Sequence, residues 1–102
     1  MPMSTCLQTE RGEVLQRVAD TKDAFVVLLP WRGDTSFTLL RFIDRYGHTT
    51  FNRLQMDLFL QEWQRIFEKA ETPESRDLLA QVRAMAERCQ KEAHLYLKFI
   101  GD

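Results

Sequence analysis

Asp44, Tyr46 and His48 stand within five residues of one another, and a carboxylate beside an imidazole is the minimum that acid–base chemistry requires. No serine or cysteine nucleophile lies next to them in sequence, and Asp and His in turns commonly hydrogen-bond their own backbone, so a structural role competes with a catalytic one. Arg41, Arg45 and Arg53 surround the same segment. With Tyr46 and His48 they make a candidate anion- or partner-binding patch, which Asp44 and Asp57 are placed to neutralise. The metal-ligand candidates are Cys6, His48, Cys89 and His94. Cys89 and His94 diverge by roughly 140° if both lie on one helix, and no Cys-x-x-Cys or His-x-x-x-His is present, so no metal site is expected. Glycines at 12, 33, 47 and 101 belong to no phosphate-cradling loop, and no cofactor is expected.

Such residues need a scaffold, and 102 residues with 44% hydrophobic side chains can form one domain with its own core. The net charge of −1 is evenly distributed: six basic and six acidic residues in 1–51, eight and nine in 52–102. Nucleic-acid binders usually carry a basic excess, so that function is not expected. Arg supplies ten of the fourteen basic residues, consistent with planar recognition at an interface or with genome composition. The start MPMSTCLQTERGE lacks the pattern of a signal peptide, and no apolar run approaches the roughly 18 residues that span a membrane. A cytoplasmic protein with Cys6 and Cys89 as buried thiols is expected.

Residues 3–8 and 13–19 flank Thr9-Glu10-Arg11-Gly12, which predicts a hairpin closed with a bulge by a left-handed glycine. Asp20 is placed to cap a short helix over Thr21–Leu29, with a strand as the alternative because of Val26 and Val27. Trp31 lies in the one substantial irregular loop, 31–36. Phe37–Ile43 is apolar on both sides of a pleat and predicts a central strand; Asp44-Arg45-Tyr46-Gly47 predicts a type I turn, and His48–Phe51 the return strand. Thr50 or Asn52 can cap the next helix, to about Ala70, and Asn52 and Gln55 have capping-box spacing. That helix carries Leu54, Met56, Leu58, Phe59, Leu60, Trp63, Ile66 and Phe67, too wide a stripe for one buried face. Either two surfaces cover it or part of it is an interface. Thr72-Pro73 starts a last helix extending to Ile100, with His94 on its surface and Gly101 as its stop.

The expected fold is therefore α+β: a small antiparallel sheet of about four strands, in two hairpins, covered by two long C-terminal helices and one short helix, in the order ββαββαα.

The run Phe42-Ile43-Asp44-Arg45-Tyr46-Gly47-His48-Thr49-Thr50-Phe51-Asn52-Arg53-Leu54-Gln55, with the ending His94-Leu95-Tyr96-Leu97-Lys98-Phe99-Ile100-Gly101-Asp102, resembles small uncharacterised bacterial proteins. These share an aromatic-Gly-x-Thr-x-Phe-Asn-x-x-Gln core and a Phe-Ile-Gly-Asp end. The resemblance covers about the last two-thirds of the chain and implies no activity, so it assigns no functional residue.

The absence of a catalytic motif and the large number of aromatic residues together point to a non-enzymatic protein-interaction module. An immunity or accessory protein for a larger bacterial partner would be of this kind. The partner is another protein or a second copy, as a homodimer through the Asn52–Ala70 helix; neither nucleic acid nor a membrane is expected. The candidate surface is Asp44, Arg45, Tyr46, His48, Asn52 and Arg53, with the Trp31 loop beside it. The alternative is a small-ligand-binding or catalytic protein using Asp44, Tyr46, His48 and Arg53 in a deep pocket.

Overall fold

An antiparallel sheet organises the chain, and a computed structural model describes it over residues 2–101. Strands β1 (Ser4–Thr9) and β2 (Val14–Ala19) form the expected hairpin. Gly12 closes it at φ +84°, where a Cβ would be strained, and the Thr9 N–H donates to the Glu13 carbonyl at 2.9 Å. Leu7 pairs with Gln16 but Gln8 with Val14, so Leu15 is an inserted bulge residue. Strand β3 (His48–Asn52) also forms where expected.

The last helix differs from expectation. Helix α2 runs Pro73–Lys91, begins on a Thr72 side-chain cap, and gives way to strand β4, Leu95–Ile100. His94 makes the change of direction at φ +65°. Leu95, Leu97 and Phe99 then alternate inward against half-buried Tyr96, Lys98 and Ile100, a period of two that outweighs the helical spacing of Ala93, Tyr96 and Ile100. Strand β4 lies centrally in the antiparallel order β2-β1-β4-β3. It pairs residue for residue with β1, Ser4 opposite Ile100 to Thr9 opposite Leu95.

Residues 37–43 are not the partner of β3. Phe37, Leu40 and Ile43 are buried at three-residue intervals, and Leu40–Phe42 forms a 3-10 turn. The N–H groups of Thr38, Leu39 and Leu40 donate to the buried Glu62 carboxylate at 2.7–3.0 Å, which occupies donors that a ladder would need. The helix expected over Thr21–Leu29 is likewise reduced to a 3-10 turn, Val26–Leu28. Asp20 does cap the segment, but from a buried position, accepting from the N–H groups of Ala24, Phe25 and Val26 at 2.5–3.0 Å. Asp23, at φ +53°, breaks helical continuity between them. The molecule is thus α+β, with a four-stranded antiparallel sheet and two helices. Its fourth strand is Leu95–Ile100 rather than Phe37–Ile43.

Helix α1 (Met56–Phe67) follows a 3-10 turn, Arg53–Gln55. Most of its wide apolar stripe is covered on two sides, by the sheet and by α2, where the Trp63 Nε1–H donates to the Leu79 carbonyl at 2.9 Å, while Leu54 and Leu58 stay exposed. Met56, Phe59, Trp63 and Ile66 are fully buried, and Leu60 and Phe67 pack against the core. Phe99 is the hub of the core, its ring 5.9–6.4 Å from those of Phe25, Phe51, Phe59 and Trp63. Edge-to-face and tilted pairs of this kind add about 0.5–1.5 kcal/mol each beyond area burial.

Candidate functional site

The segment between β2 and β3, residues 20–47, contains no strand, and two buried carboxylates anchor its backbone: Asp20 at its start and Glu62 from α1. Arg65 adds a third tether, donating to the Ser36 carbonyl at 2.6 Å and lying 3.8 Å over the Phe37 ring. With its donors satisfied internally, this connector can hold a fixed irregular shape.

One consequence of that shape is a groove of about 510 Å³ between 30–32 and 41–46. The Arg41 Nη1–H donates to the Arg32 carbonyl and the Arg45 Nη2–H to the Leu29 carbonyl, both at 3.2 Å, tying the two walls together. The Arg41 guanidinium also lies 4.4 Å above the Phe42 ring. Among the described residues, no carboxylate is within ion-pair reach of Arg32, Arg41 or Arg45, and the buried Arg41 Nε–H has no acceptor. Trp31, Phe42 and Tyr46 are 73%, 54% and 84% exposed. The Trp31 indole rests on Gly33, in space that any Cβ at that position would occupy.

The turn at the groove's end is held from below. Asp44 Oδ1 accepts from the Tyr46 N–H at 2.8 Å, and the Asp44 N–H donates to Thr49 Oγ1 at 2.8 Å. The Gly101 N–H donates to the Gly47 carbonyl at 2.7 Å. A Cβ on Gly101 would stand 2.5 Å from the Arg45 carbonyl group, so the end of β4 and this turn meet backbone to backbone.

The fold therefore brings Trp31 together with Asp44, Arg45 and Tyr46, four residues expected at the functional surface, and with Arg41 of the expected arginine patch, and adds Arg32 and Phe42. His48 is exposed at the start of β3, opposite Ile100, and does not line the groove. Asn52 completes a capping box with Gln55, the two bonds measuring 2.9 and 3.2 Å. Arg53 borders a separate depression with Asn52, Leu54, His94 and Tyr96. Asp44, Tyr46, His48 and Arg53 consequently do not converge on one deep pocket. Nor do the thiols and imidazoles: Cys6 and Cys89 are buried apart in β1 and α2, and no three His, Cys, Asp or Glu side chains among the described residues are grouped to hold a metal.

Phe42 and Glu62 lie outside the candidate surface expected from sequence. Phe42 belongs to the expected strand, although Phe37, Leu40 and Ile43 at three-residue spacing leave it off their shared face. Glu62 had a legible signal: it falls between Phe59, Trp63 and Ile66 on the apolar face of α1, where a charge requires partners. No helix among the described residues is long and apolar enough to cross a membrane. No protein-family model, curated protein or solved structure matches the chain.

Proposed function

We propose that the protein is a non-enzymatic protein-interaction module, of the kind that serves as an immunity or accessory protein, and that it docks its partner through the Trp31–Tyr46 groove. One observation carries this reading. Of eleven aromatic residues, eight are buried or half-buried, and the three exposed rings, Trp31, Phe42 and Tyr46, all line one groove with three arginines. Trp, Tyr and Arg are the residues most enriched at the energetic centres of protein interfaces, where a few large side chains supply most of the affinity.

The test is affinity capture from the source organism with wild type and with Trp31→Ala/Tyr46→Ala, followed by titration of the purified partner against both. A partner that binds wild type directly and loses about tenfold or more in affinity to the variant, with an unchanged melting curve, supports the reading. Equal binding by both proteins overturns it.

Self-association through the segment 52–70, which the fold builds as the Arg53–Gln55 turn and α1, is a second reading, favoured by Leu54 at 82% and Leu58 at 38% exposure. Sedimentation at micromolar concentration distinguishes it: a dimer lost on Leu54→Ser/Leu58→Ser supports this interface, and a monomer removes it.

A further inference from the structure

The groove's charge is as particular as its aromatic content. It contains three guanidiniums and one carboxylate, and that carboxylate already accepts the Tyr46 N–H. Arg41 and Arg45 each use one donor on a backbone carbonyl, which fixes the guanidiniums and leaves further N–H groups available. The buried Arg41 Nε–H has no acceptor among the described residues, and a buried donor left unmade costs about 1–3 kcal/mol.

We propose that the groove takes an acidic peptide segment of a partner protein, its Asp or Glu carboxylate received by Arg41 and Arg45 and a neighbouring apolar or aromatic side chain packed on Trp31 and Tyr46. The inference rests on the partner-binding reading above and specifies the partner's chemistry. A guanidinium and a carboxylate match as planar forks with two parallel bonds, and the adjacent rings exclude water from that pair. A peptide is favoured over a nucleic acid because the three groove arginines are a local cluster on a chain of net charge −1, whose other basic residues are spread among a similar number of acidic ones, whereas binding a phosphate backbone calls for an extended basic track.

The experiment selects binders from a displayed library of random peptides on immobilised wild-type protein, counter-selected against Trp31→Ala/Tyr46→Ala. The enriched peptides are then resynthesised with each Asp or Glu replaced by Asn or Gln. The expected result is acidic-aromatic or acidic-aliphatic sequences that lose about tenfold or more in affinity when the carboxylate becomes an amide, and that bind Arg45→Gln comparably weakly. The change in the peptide keeps the test decisive even if an arginine variant is misfolded. Gly33→Ala provides a second check: the added methyl displaces the Trp31 ring while its φ remains ordinary, so affinity should fall with the melting curve unchanged. Enrichment of neutral or basic sequences overturns the acidic specificity and leaves the interaction module standing. An absence of groove-dependent sequences overturns both. Binding of a labelled oligothymidine at physiological salt, abolished by Arg45→Gln, overturns the peptide assignment in favour of single-stranded nucleic acid.

Discussion

Asn52 and Asp44 belonged to the expected functional surface, and both use their side chains on nearby backbone N–H groups. Asp44→Ala and Asn52→Ala should each cost about 0.5–2 kcal/mol in chemical denaturation, whereas Tyr46→Ala should leave stability nearly unchanged, because its side chain is almost fully exposed. The thiols permit a pH prediction. Burial pushes the Cys6 and Cys89 thiols above the ordinary cysteine range, with Lys98 and Arg17 opposing at Cys6 and Arg53 at Cys89. A raised folded value favours the protonated native state. The resulting stability is fully present below the unfolded thiol pKa, about 8.5, and is lost as pH rises through the raised values. Melting temperature should decline on the alkaline side of that range, and the Cys89→Ala variant should decline less steeply. Both thiols should also react slowly with a disulfide reagent at neutral pH until denaturant is added. Burial of these cysteines was legible because the chain offers no paired-cysteine motif. The role of Glu62 was not, since a charge on an apolar face signals a partner without saying which backbone supplies it.

At the level of elements, the hairpin, β3, the Asn52–Gln55 cap and the start of α2 followed from short-range chemistry, each set by residues within a few positions of one another. The β4 strand did not, because Leu78, Val82, Met85 and Cys89 establish a helical period and nothing before His94 announces that it ends. Leu95, Leu97 and Phe99 carried the contrary signal, but over only six residues. The connector was illegible for another reason: its shape is imposed by carboxylates, one of them more than twenty positions away in sequence. Glu62→Ala should therefore destabilise by about 3 kcal/mol or more, since three backbone donors lose their acceptor, and it should broaden the NMR signals of residues 37–46 more than those of the sheet. Sharp, unshifted resonances there would show that the connector holds itself. Gly101→Ala should act at the opposite end of the same region. Its Cβ must push the Arg45 backbone aside, an overpacking cost of about 1–3 kcal/mol, and Tyr46 amide shifts should report the displaced turn.

Across the whole molecule, the seven phenylalanines and two tryptophans divide between a core centred on Phe99 and a single exposed groove, with Phe67 at the margin of the core. The chain has more aromatic rings than its one core hides, leaving Trp31 and Phe42 outside it, and their meeting beside Tyr46 depends on a tertiary contact between residues 29–32 and 41–45 that local sequence does not announce. The pairing of β1 with β4 has a further consequence, which concerns time rather than stability. It joins residues 4–9 to 95–100, so the centre of the sheet closes only after nearly the full length of chain has been gathered. Loop closure over such separations is entropically unfavourable before the contacts are made, and topologies rich in them fold in milliseconds to seconds. The β1–β2 hairpin and α2 can form locally, but the Phe99 hub cannot. Stopped-flow refolding monitored by Trp63 fluorescence in a Trp31→Phe background should show its main amplitude in that slow range. Phe99→Leu should mainly accelerate unfolding if the β1–β4 pair forms after the transition state, and mainly retard refolding if it forms within it. Until that pair closes, both of its strands have unfilled backbone hydrogen-bonding edges, and β1 in particular presents the hairpin's open side to any extended chain nearby. The interval before closure is thus when this protein is most exposed to pairing with the wrong strand, and its refolding yield should fall as concentration rises even though the finished sheet has β1 and β4 safely in its interior.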